Sequence, residues 1–516
     1  MDHSNVSSFT APADECRVGE DSPSRILSLW PQELKLGSND LKNMTAEAGI
    51  AALAITIIAV VYRYSLKKKS NSSDQPSQQK NKTDYIVTKI HNQWYNLTDF
   101  DHPGGPVALS LVQRRDGTAL FESHHPFTKH KKLMQILSKY EVPKAKESTY
   151  GCQLMDERDD GLVYEWDGIE SDEFVSDLKA LTSEYFGKIA KKKSLSNITE
   201  ATKATLARWA LVMTLMISFF GTLPLYIHGN WLFIVLTPVL AWLTIANYWH
   251  DATHFALSSD WRVNASMPYL LPLLSSPSVW YHQHTIGHHA YTNIGHKDPD
   301  LAHAPQLMRE HKSIRWRSTH SNQAHFLRIL LVWSIASGIG LNILSDMRSV
   351  VKLTYNNAVP CMQRSRSNLA AHLFGRLFYI SVAYVWPFFV FPIWKALIWS
   401  FVPNAIFSMC FMLNSQINHM VGPCIDASSK NFYKHQIVTA QNFGNDSRLC
   451  YYFSGGLNYQ IEHHLFPTIN HCHLPALAPG VKRICQKHGV PYNVVSGYKE
   501  ALVAHLAHTA EMAVRP

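Results

Sequence analysis

Histidine spacing is where chemistry first shows in this chain. Three clusters, His250-Asp-Ala-Thr-His254, His284-Thr-Ile-Gly-His288-His289 and Gln460-Ile-Glu-His463-His464, are spread over more than two hundred residues. On a helix, residues four apart share a face, so His250 with His254, and His284 with His288, can each bring two imidazoles to one point. Adjacent histidines point about 100° apart, so each doublet can serve two different metals. Seven imidazoles are too many for one tetrahedral zinc, which in any case brings no redox chemistry. Nitrogen-rich ligation beside an apolar cavity favours iron used with dioxygen. A lone HxxxH is usually a satisfied core or surface pair, but the joint pattern is not explained that way. His419, in Asn414-Ser-Gln-Ile-Asn418-His419, is placed to join the site, and Asp251, Asp298 and Asp300 are candidates to orient imidazole N–H groups.

A second constellation is Asp101-His102-Pro-Gly-Gly105, followed by Asp116-Gly-Thr118-Ala-Leu-Phe121-Glu-Ser-His124-His125-Pro126. Pro-Gly-Gly favours a tight turn that could fix His102 at the mouth of a pocket. A histidine twenty-odd residues later could close on the opposite face of a flat cofactor. Two axial imidazoles leave no open position on a haem, so such a site moves electrons and does not bind oxygen. His124 and His125 are adjacent and either can be the second ligand; His125 is preferred.

The elements that must position these residues divide the chain. Residues 1–84 are polar apart from an apolar run from Ala48 to Tyr62, which is followed by Arg63 and Lys67-Lys68-Lys69. That run reads as a membrane anchor at about 48–66 with its basic flank in the cytosol, followed by a flexible Ser/Gln/Asn/Lys-rich linker. Residues 85–145 read as a compact soluble unit of short strands and helices around His102, and 146–200 as a charged connector. From 201 to the end the chain is a membrane domain. Leu206–Ile227 and Trp231–Tyr248 form a hairpin about Gly229-Asn230, while Met267–Val279 is too short to span and dips into the membrane or lies on it. If the clusters build one site, an even number of spans separates the second from the third. Phe326–Leu344, with Arg328 and two glycines, is therefore expected to be interfacial, and Leu373–Ile393 and Trp394–Leu413 to span. The fold class is mostly α: a multi-span helical domain with a cytosolic di-metal cap, preceded by a small α+β unit.

Composition narrows the partners. The net charge of +9 lies partly in basic runs that flank apolar segments or linkers, with few aromatics interleaved. A membrane face explains them better than nucleic acid does. The eight cysteines make no CxxC pair, so no disulfide framework is expected and most of the chain faces a reducing compartment.

The three clusters resemble the histidine boxes of membrane fatty-acid desaturases, and Gln460 in the place of the third box's first histidine resembles the front-end subgroup, which carries a fused cytochrome b5 domain with HPGG. His288-His-Ala-Tyr-Thr-Asn293, Asp298-Pro-Asp300 and Gly455-Gly-Leu-Asn-Tyr-Gln460 to Phe466-Pro467 are similar too, and the likeness runs from about residue 85 to the end. It implies a non-haem di-iron enzyme of the endoplasmic reticulum membrane, of the delta-4, delta-5, delta-6 or delta-8 type. Such an enzyme uses O2 to insert a cis double bond between an existing one and the carboxyl end of a polyunsaturated acyl chain, carried on a lipid or on coenzyme A. Delta-5 or delta-6 is expected. By the resemblance His250, His254, His284, His288, His289, His419, His463 and His464 are iron ligands. His102 and His125 hold haem b, supplied with electrons by an NADH-dependent cytochrome b5 reductase. Gln460 is expected to tune one iron and shape the cavity beside it. Residues 1–84 depart from the family pattern, and so does Arg114, which stands where the family more often has glycine. The rivals are a sphingolipid long-chain-base desaturase, a lipid hydroxylase, and a non-catalytic electron-transfer or metal-transport protein. Transport would place ionisable groups within the spans, whereas these histidines gather beyond the span ends.

Overall fold

The computed structural model describes residues 85–155, 165–169, 171–271, 275–337, 354–355, 359–360 and 374–516. The expected anchor and linker lie outside these residues, as does the end of the Phe326–Leu344 segment. The described chain is mostly helical.

The N-terminal unit opens with an antiparallel hairpin, β1 (Val87–Ile90) and β2 (Gln93–Asn96), in which Val87 pairs with Asn96. His91 and Asn92 make its two-residue turn at φ 47 and φ 65, the left-handed values that a twisted hairpin requires. Two short helices follow, α1 (Gly105–Val112) and α2 (Thr118–His124). Ile90, Tyr95, Leu97, Leu109, Phe121 and Leu137 form the core of the unit. Arg114 adopts φ 55, a left-handed value that strains a residue with a side chain.

Helix α3 (Glu173–Lys192) is capped by Asp172, whose side chain accepts from the Phe174 amide. Its apolar face, with Phe174, Leu178 and Phe186, is wholly buried against Leu477, Val481 and Phe466. Among the described residues, three helices are long and apolar enough to cross a membrane: α4 (Leu206–Ile227), α5 (Phe233–Thr253) and α6 (Ile393–Gln416), of 22, 21 and 24 residues. At 1.5 Å per residue each exceeds the roughly 30 Å hydrocarbon core. Leu206, Met213, Ile217, Val235, Leu397 and Phe401 are exposed along them, as lipid-facing positions are.

The spans are joined at one end by a defined contact. Gly229 closes the hairpin at φ 80, and its carbonyl accepts from Lys395 Nζ at 2.9 Å. The Lys395 ammonium also stands 5.5, 4.6 and 4.8 Å from the rings of Trp231, Phe391 and Trp399. Trp399 Nε1 donates to the Tyr226 carbonyl at 3.0 Å. The α4–α5 turn and the start of α6 therefore share a level, and the opposite ends, bearing His250 and leading to His419, share the other.

One expectation about spans stands and one changes. The described part of Phe326–Leu344 is an 11-residue helix, Phe326–Ala336, about 16 Å long and too short to cross. The span expected at Leu373–Ile393 is the shorter apolar helix Phe374–Val390, which stops before Pro392. Pro392 has no amide to donate and disfavours helix at Phe391, which is extended at φ −122 and ψ 155.

Beyond α6, short helices make a cap. It includes Phe432–Val438, Gln460–Leu465 and Leu474–His488, with a parallel strand pair in which Gln441 meets Asn493. The last helix, Tyr498–Ala513, is held by Gln323 Nε2 donating to the Thr509 carbonyl and by Arg309 to that of Met512.

Candidate metal centre

The ligand-bearing segments are not plain α-helix. Ile245–Trp249 is wound as a π-helix directly before His250, and Tyr281–His288 is a second π-helix that carries into His289. π-winding bonds residues five apart, and such turns are concentrated at functional sites. His284 keeps the expected pairing with His288, the two rings stacked at 5.4 Å between centroids, and also converges with His289, five residues on. His250, His254, His284, His289 and His463 form one group, and His288, His419 and His464 another, with the ligand atoms of each group within 4.8 Å of one another. The doublets His288-His289 and His463-His464 are thus each split between the groups.

In the first group, the Nε2 atoms of His250 and His284 lie 2.9 Å apart, those of His284 and His289 3.2 Å, and those of His289 and His463 3.1 Å. Nitrogens bound at about 2.1 Å and at right angles on one ion stand about 3 Å apart. Neither ring nitrogen of His254 has a hydrogen-bond partner, nor does Nε2 of His464. Each such buried orphan costs about 1–3 kcal/mol, a cost that a metal ion would remove. The donor set therefore fits a pair of transition metals.

Electrostatics agree with ligation by neutral imidazole. Burial first, then neighbouring ring charges, hold His254, His284, His289, His463 and His464 well below the ordinary histidine value. His419 is pushed down by burial and by His288. His288 goes the other way: burial opposes its charge, but Asp298 and Asp300 outweigh burial and raise it to about 9.

Neighbours fix the rings. Asp298 Oδ2 lies 3.1 Å from His288 Nδ1, and Asp300 Oδ2 3.5 Å from it. Gln436 Oε1 lies 2.9 Å from His464 Nδ1, and the Thr439 carbonyl 2.9 Å from His419 Nδ1. Trp280 stacks on His284 at 4.4 Å between centroids. Gln460 sits beside the second group: its Nε2 is 2.9 Å from His419 Nε2, and its Oε1 accepts from Asn418. Asp251 lies with His250 and His471 in a further group, its Oδ1 3.1 Å from His471 Nδ1, while its Oδ2 accepts from Arg208 at 3.1 Å and from Asn470 at 2.9 Å.

His471 and Arg208 escaped the sequence reading. His471 Nε2 lies 3.0 Å from His463 Nδ1, so it braces a member of the first group from behind. The His471-Cys-His473 spacing was a signal for it, and so was Arg208 as a cation in an apolar helix. A small apolar pocket opens beside His250, lined by Trp242, Trp249, Trp280, Phe411 and Asn414.

In the N-terminal unit His102 and His125 face one another, with ring centroids 6.2 Å apart. Two nitrogen–metal bonds of about 2 Å, plus about 1 Å from each nitrogen to its ring centre, span that distance. His125 Nδ1 lies 2.8 Å from the Phe121 carbonyl and can donate to it, which leaves its Nε2 lone pair for the gap, whereas His102 Nδ1 accepts from the Gly104 amide, which puts the proton of its neutral ring on Nε2. Burial and His125 bring His102 down to about 4. The spacing of the two rings would admit one metal between them if His102 carried its proton on Nδ1. Gly105, at φ 80, lies against the Trp261 ring so closely that a Cβ would fall 2.3 Å from it. All six cysteines described are unpaired.

Comparison with known proteins places these features. The family model for fatty acid desaturases matches residues 229–496. An acyl-lipid (8-3)-desaturase B of Dictyostelium discoideum is 27% identical over 87% of this chain and 96% of its own length. A Delta(5) fatty acid desaturase A of the same organism is 26% identical over 80% of this chain and 87% of its own. An acyl-lipid (8-3)-desaturase of Mortierella alpina is 27% identical over 84% and 94%. No solved structure matches the chain.

Proposed function

The chain belongs to the fatty acid desaturase family, oxidoreductases that act on fatty acyl chains, and on that premise we propose that it is a membrane-bound front-end desaturase. It inserts a cis double bond between an existing one and the carboxyl end of a polyunsaturated acyl chain. The observation that carries this reading is the pair of adjoining histidine groups at one end of the apolar helices, with Gln460 against His419.

His250, His254, His284, His289 and His463 would hold one iron, and His288, His419 and His464 the other. When bound, the iron pair supplies the redox chemistry of O2 activation, and haem b between His102 and His125 supplies one-electron transfer. The protein's own residues do the rest. Asp298 and Gln436 fix the orientation of His288 and His464. Gln460 puts a neutral amide beside His419 and so gives the second group a weaker donor than a third-box histidine would. Trp242, Trp249 and Trp280 wall an apolar pocket beside His250 and would exclude water from the reacting carbons.

Residues 85–145 are the cytochrome b5-like unit, 146–200 the connector and 201–516 the desaturase domain, in the endoplasmic reticulum membrane with both sites facing the cytosol. O2 is the oxidant and an NADH-dependent cytochrome b5 reductase the electron source. The acyl-lipid names of two relatives favour a lipid-bound chain over acyl-coenzyme A, and the Delta(5) name of another favours delta-5 over delta-6.

Feeding polyunsaturated acids to cells that express the chain, and mapping the product, tests the proposal. A new cis bond on the carboxyl side of an existing one, carried on a lipid, is expected. No new double bond from any substrate, in cells replete with haem and iron, would defeat it.

A further inference from the structure

Among the described residues, one set of metal-ligating side chains shares no member with the two histidine groups. His91 comes from the β1–β2 turn, Glu122 from α2 and His130 from the start of the helix His130–Leu137. Their ligand atoms lie within 4.8 Å of one another. Glu122 Oε1 is the shared point, 2.8 Å from His91 Nε2 and 3.7 Å from His130 Nδ1. The carboxylate is wholly buried, whereas the imidazoles are 15% and 22% exposed, so an ion can enter from the surface. The other carboxylate oxygen, Oε2, accepts from Lys179 at 2.7 Å and from the Tyr433 hydroxyl at 3.0 Å. Partners of that kind orient a ligating carboxylate, and here they keep Oε1 directed at the two rings. A plain histidine–glutamate hydrogen bond needs one ring. The second stands across the gap, its plane at 77° to the first and its centroid 5.8 Å away.

We propose that His91, Glu122 and His130 bind a divalent transition metal, with zinc the expected ion, and that the ion clips the N-terminal unit together. Two imidazoles and one carboxylate are a zinc donor set, with bonds of about 2.1 Å. Tetrahedral ligand atoms at that length stand about 3.4 Å apart, and the distances of 2.8 and 3.7 Å straddle this value. Small turns of the two partly exposed rings would even them, and a water completes the fourth position. Binding exchanges the hydrogen bond between His91 and Oε1 for bonds to the ion, and the neutral His91 ring then carries its proton on Nδ1. Calcium and magnesium prefer oxygen shells and compete poorly for such nitrogens. The clip also bears on His125. The Phe121 ring lies 6.0 Å from both His91 and His130 and 4.9 Å from the His125 ring, and His125 Nδ1 faces the Phe121 carbonyl. An ion on Glu122, the next residue, therefore fixes the segment that orients His125. Because Oε2 holds Lys179 and Tyr433, the same ion stiffens the junction with α3 and the cap.

The test uses the full chain in detergent, loaded with haem and iron, as wild type, His91→Asn and His130→Gln. Asparagine suits the left-handed turn and glutamine suits a helix, so both variants keep the fold. Filling the histidine groups with iron first leaves the proposed site as the difference between wild type and variant. Zinc sulfate is the probe, magnesium sulfate the control, and retained zinc is measured by competition with a chromogenic chelator. Wild type should hold one zinc more per chain than either variant. Loss of a ligand should weaken binding by more than the about 10–100-fold that follows loss of an outer partner. Zinc should also slow hydrogen exchange at residues 91–92 and 121–131 in wild type and in neither variant. Equal zinc content in all three chains would overturn the proposal. So would zinc uptake that leaves exchange at these residues unchanged, which would put the ion elsewhere.

Discussion

At the level of single residues, the centre depends on side chains that hold imidazoles rather than on the imidazoles alone. Asp298 is buried 3.1 Å from His288 Nδ1 and also takes the Asn293 amide, so it fixes one ligand and the loop after it. Asp298→Asn keeps the shape but removes the charge that favours the ring in this orientation. Iron retained after dialysis against a chelator should fall, with affinity about 10–100-fold weaker; unchanged retention would show that the carboxylate does not position His288. Gln460→His makes the opposite change, adding a strong nitrogen donor beside His419. Tighter binding of the second iron and an altered product ratio are expected, whereas full activity with the same double-bond position would exclude a tuning role for the amide. Arg114 offers a change without chemistry. A left-handed non-glycine residue costs about 1–2 kcal/mol, and the Arg114 side chain gains only an exposed contact of 3.4 Å to the Gln153 carbonyl. Arg114→Gly should therefore stabilise the N-terminal unit by about 1 kcal/mol in chemical denaturation, after the extra backbone entropy of glycine is counted.

At the level of elements, the ends of the spans carry more information than their middles. Lys395 bonds the Gly229 carbonyl and faces three aromatic rings, so it ties the α4–α5 turn to α6. Lys395→Met keeps the stem and loses the charge, and should cost about 1–2 kcal/mol, read as a lower midpoint of thermal unfolding in detergent. Much at this scale was legible beforehand. Apolar length located Leu206–Ile227, and the i, i+4 histidines marked the first box. Pro392 announced the break between the last two apolar helices, although the first of them proved shorter than its apolar run. The π-winding of Tyr281–His288 was not legible, because one inserted residue per turn leaves the apolar pattern almost untouched while it brings His289 as well as His288 to the side of His284. Nor could spacing foretell the Arg208–Asp251–His471 network, since its members meet only after the hairpin and the third box have packed. The His102–His125 pair was easier, because motif and loop length both lie within one small unit.

For the molecule as a whole, the question is whether the N-terminal unit is tethered or docked, and its contacts make it docked. Glu122 of α2 is buried, with Oε2 accepting from Lys179 of α3 at 2.7 Å and from the Tyr433 hydroxyl of the cap at 3.0 Å, and Oε1 lies 2.8 Å from His91. One carboxylate thus joins three parts of the chain, while Gly105 receives the Trp261 ring and Leu111 and Leu120 are buried against Val279 and Ile286. Burial works against ionisation of Glu122, but the His91 hydrogen bond and Lys179 outweigh it and hold the carboxyl down to about 2. Because the folded value lies below the ordinary 4.5, this contribution is complete above about pH 4.5 and is lost as the pH falls towards 2. At neutral pH the junction should break through mutation rather than titration. Lys179→Met leaves a buried carboxylate without its cation, which costs about 3–5 kcal/mol. Hydrogen exchange should then rise across residues 85–145 while the membrane helices stay protected. Adding Glu122→Gln to Lys179→Met removes the stranded charge and should restore much of the protection, since a buried ion pair replaced by neutral groups is often nearly neutral in stability. Equal exchange in the single and double variants would mean that Trp261 and the apolar contacts hold the unit without the carboxylate.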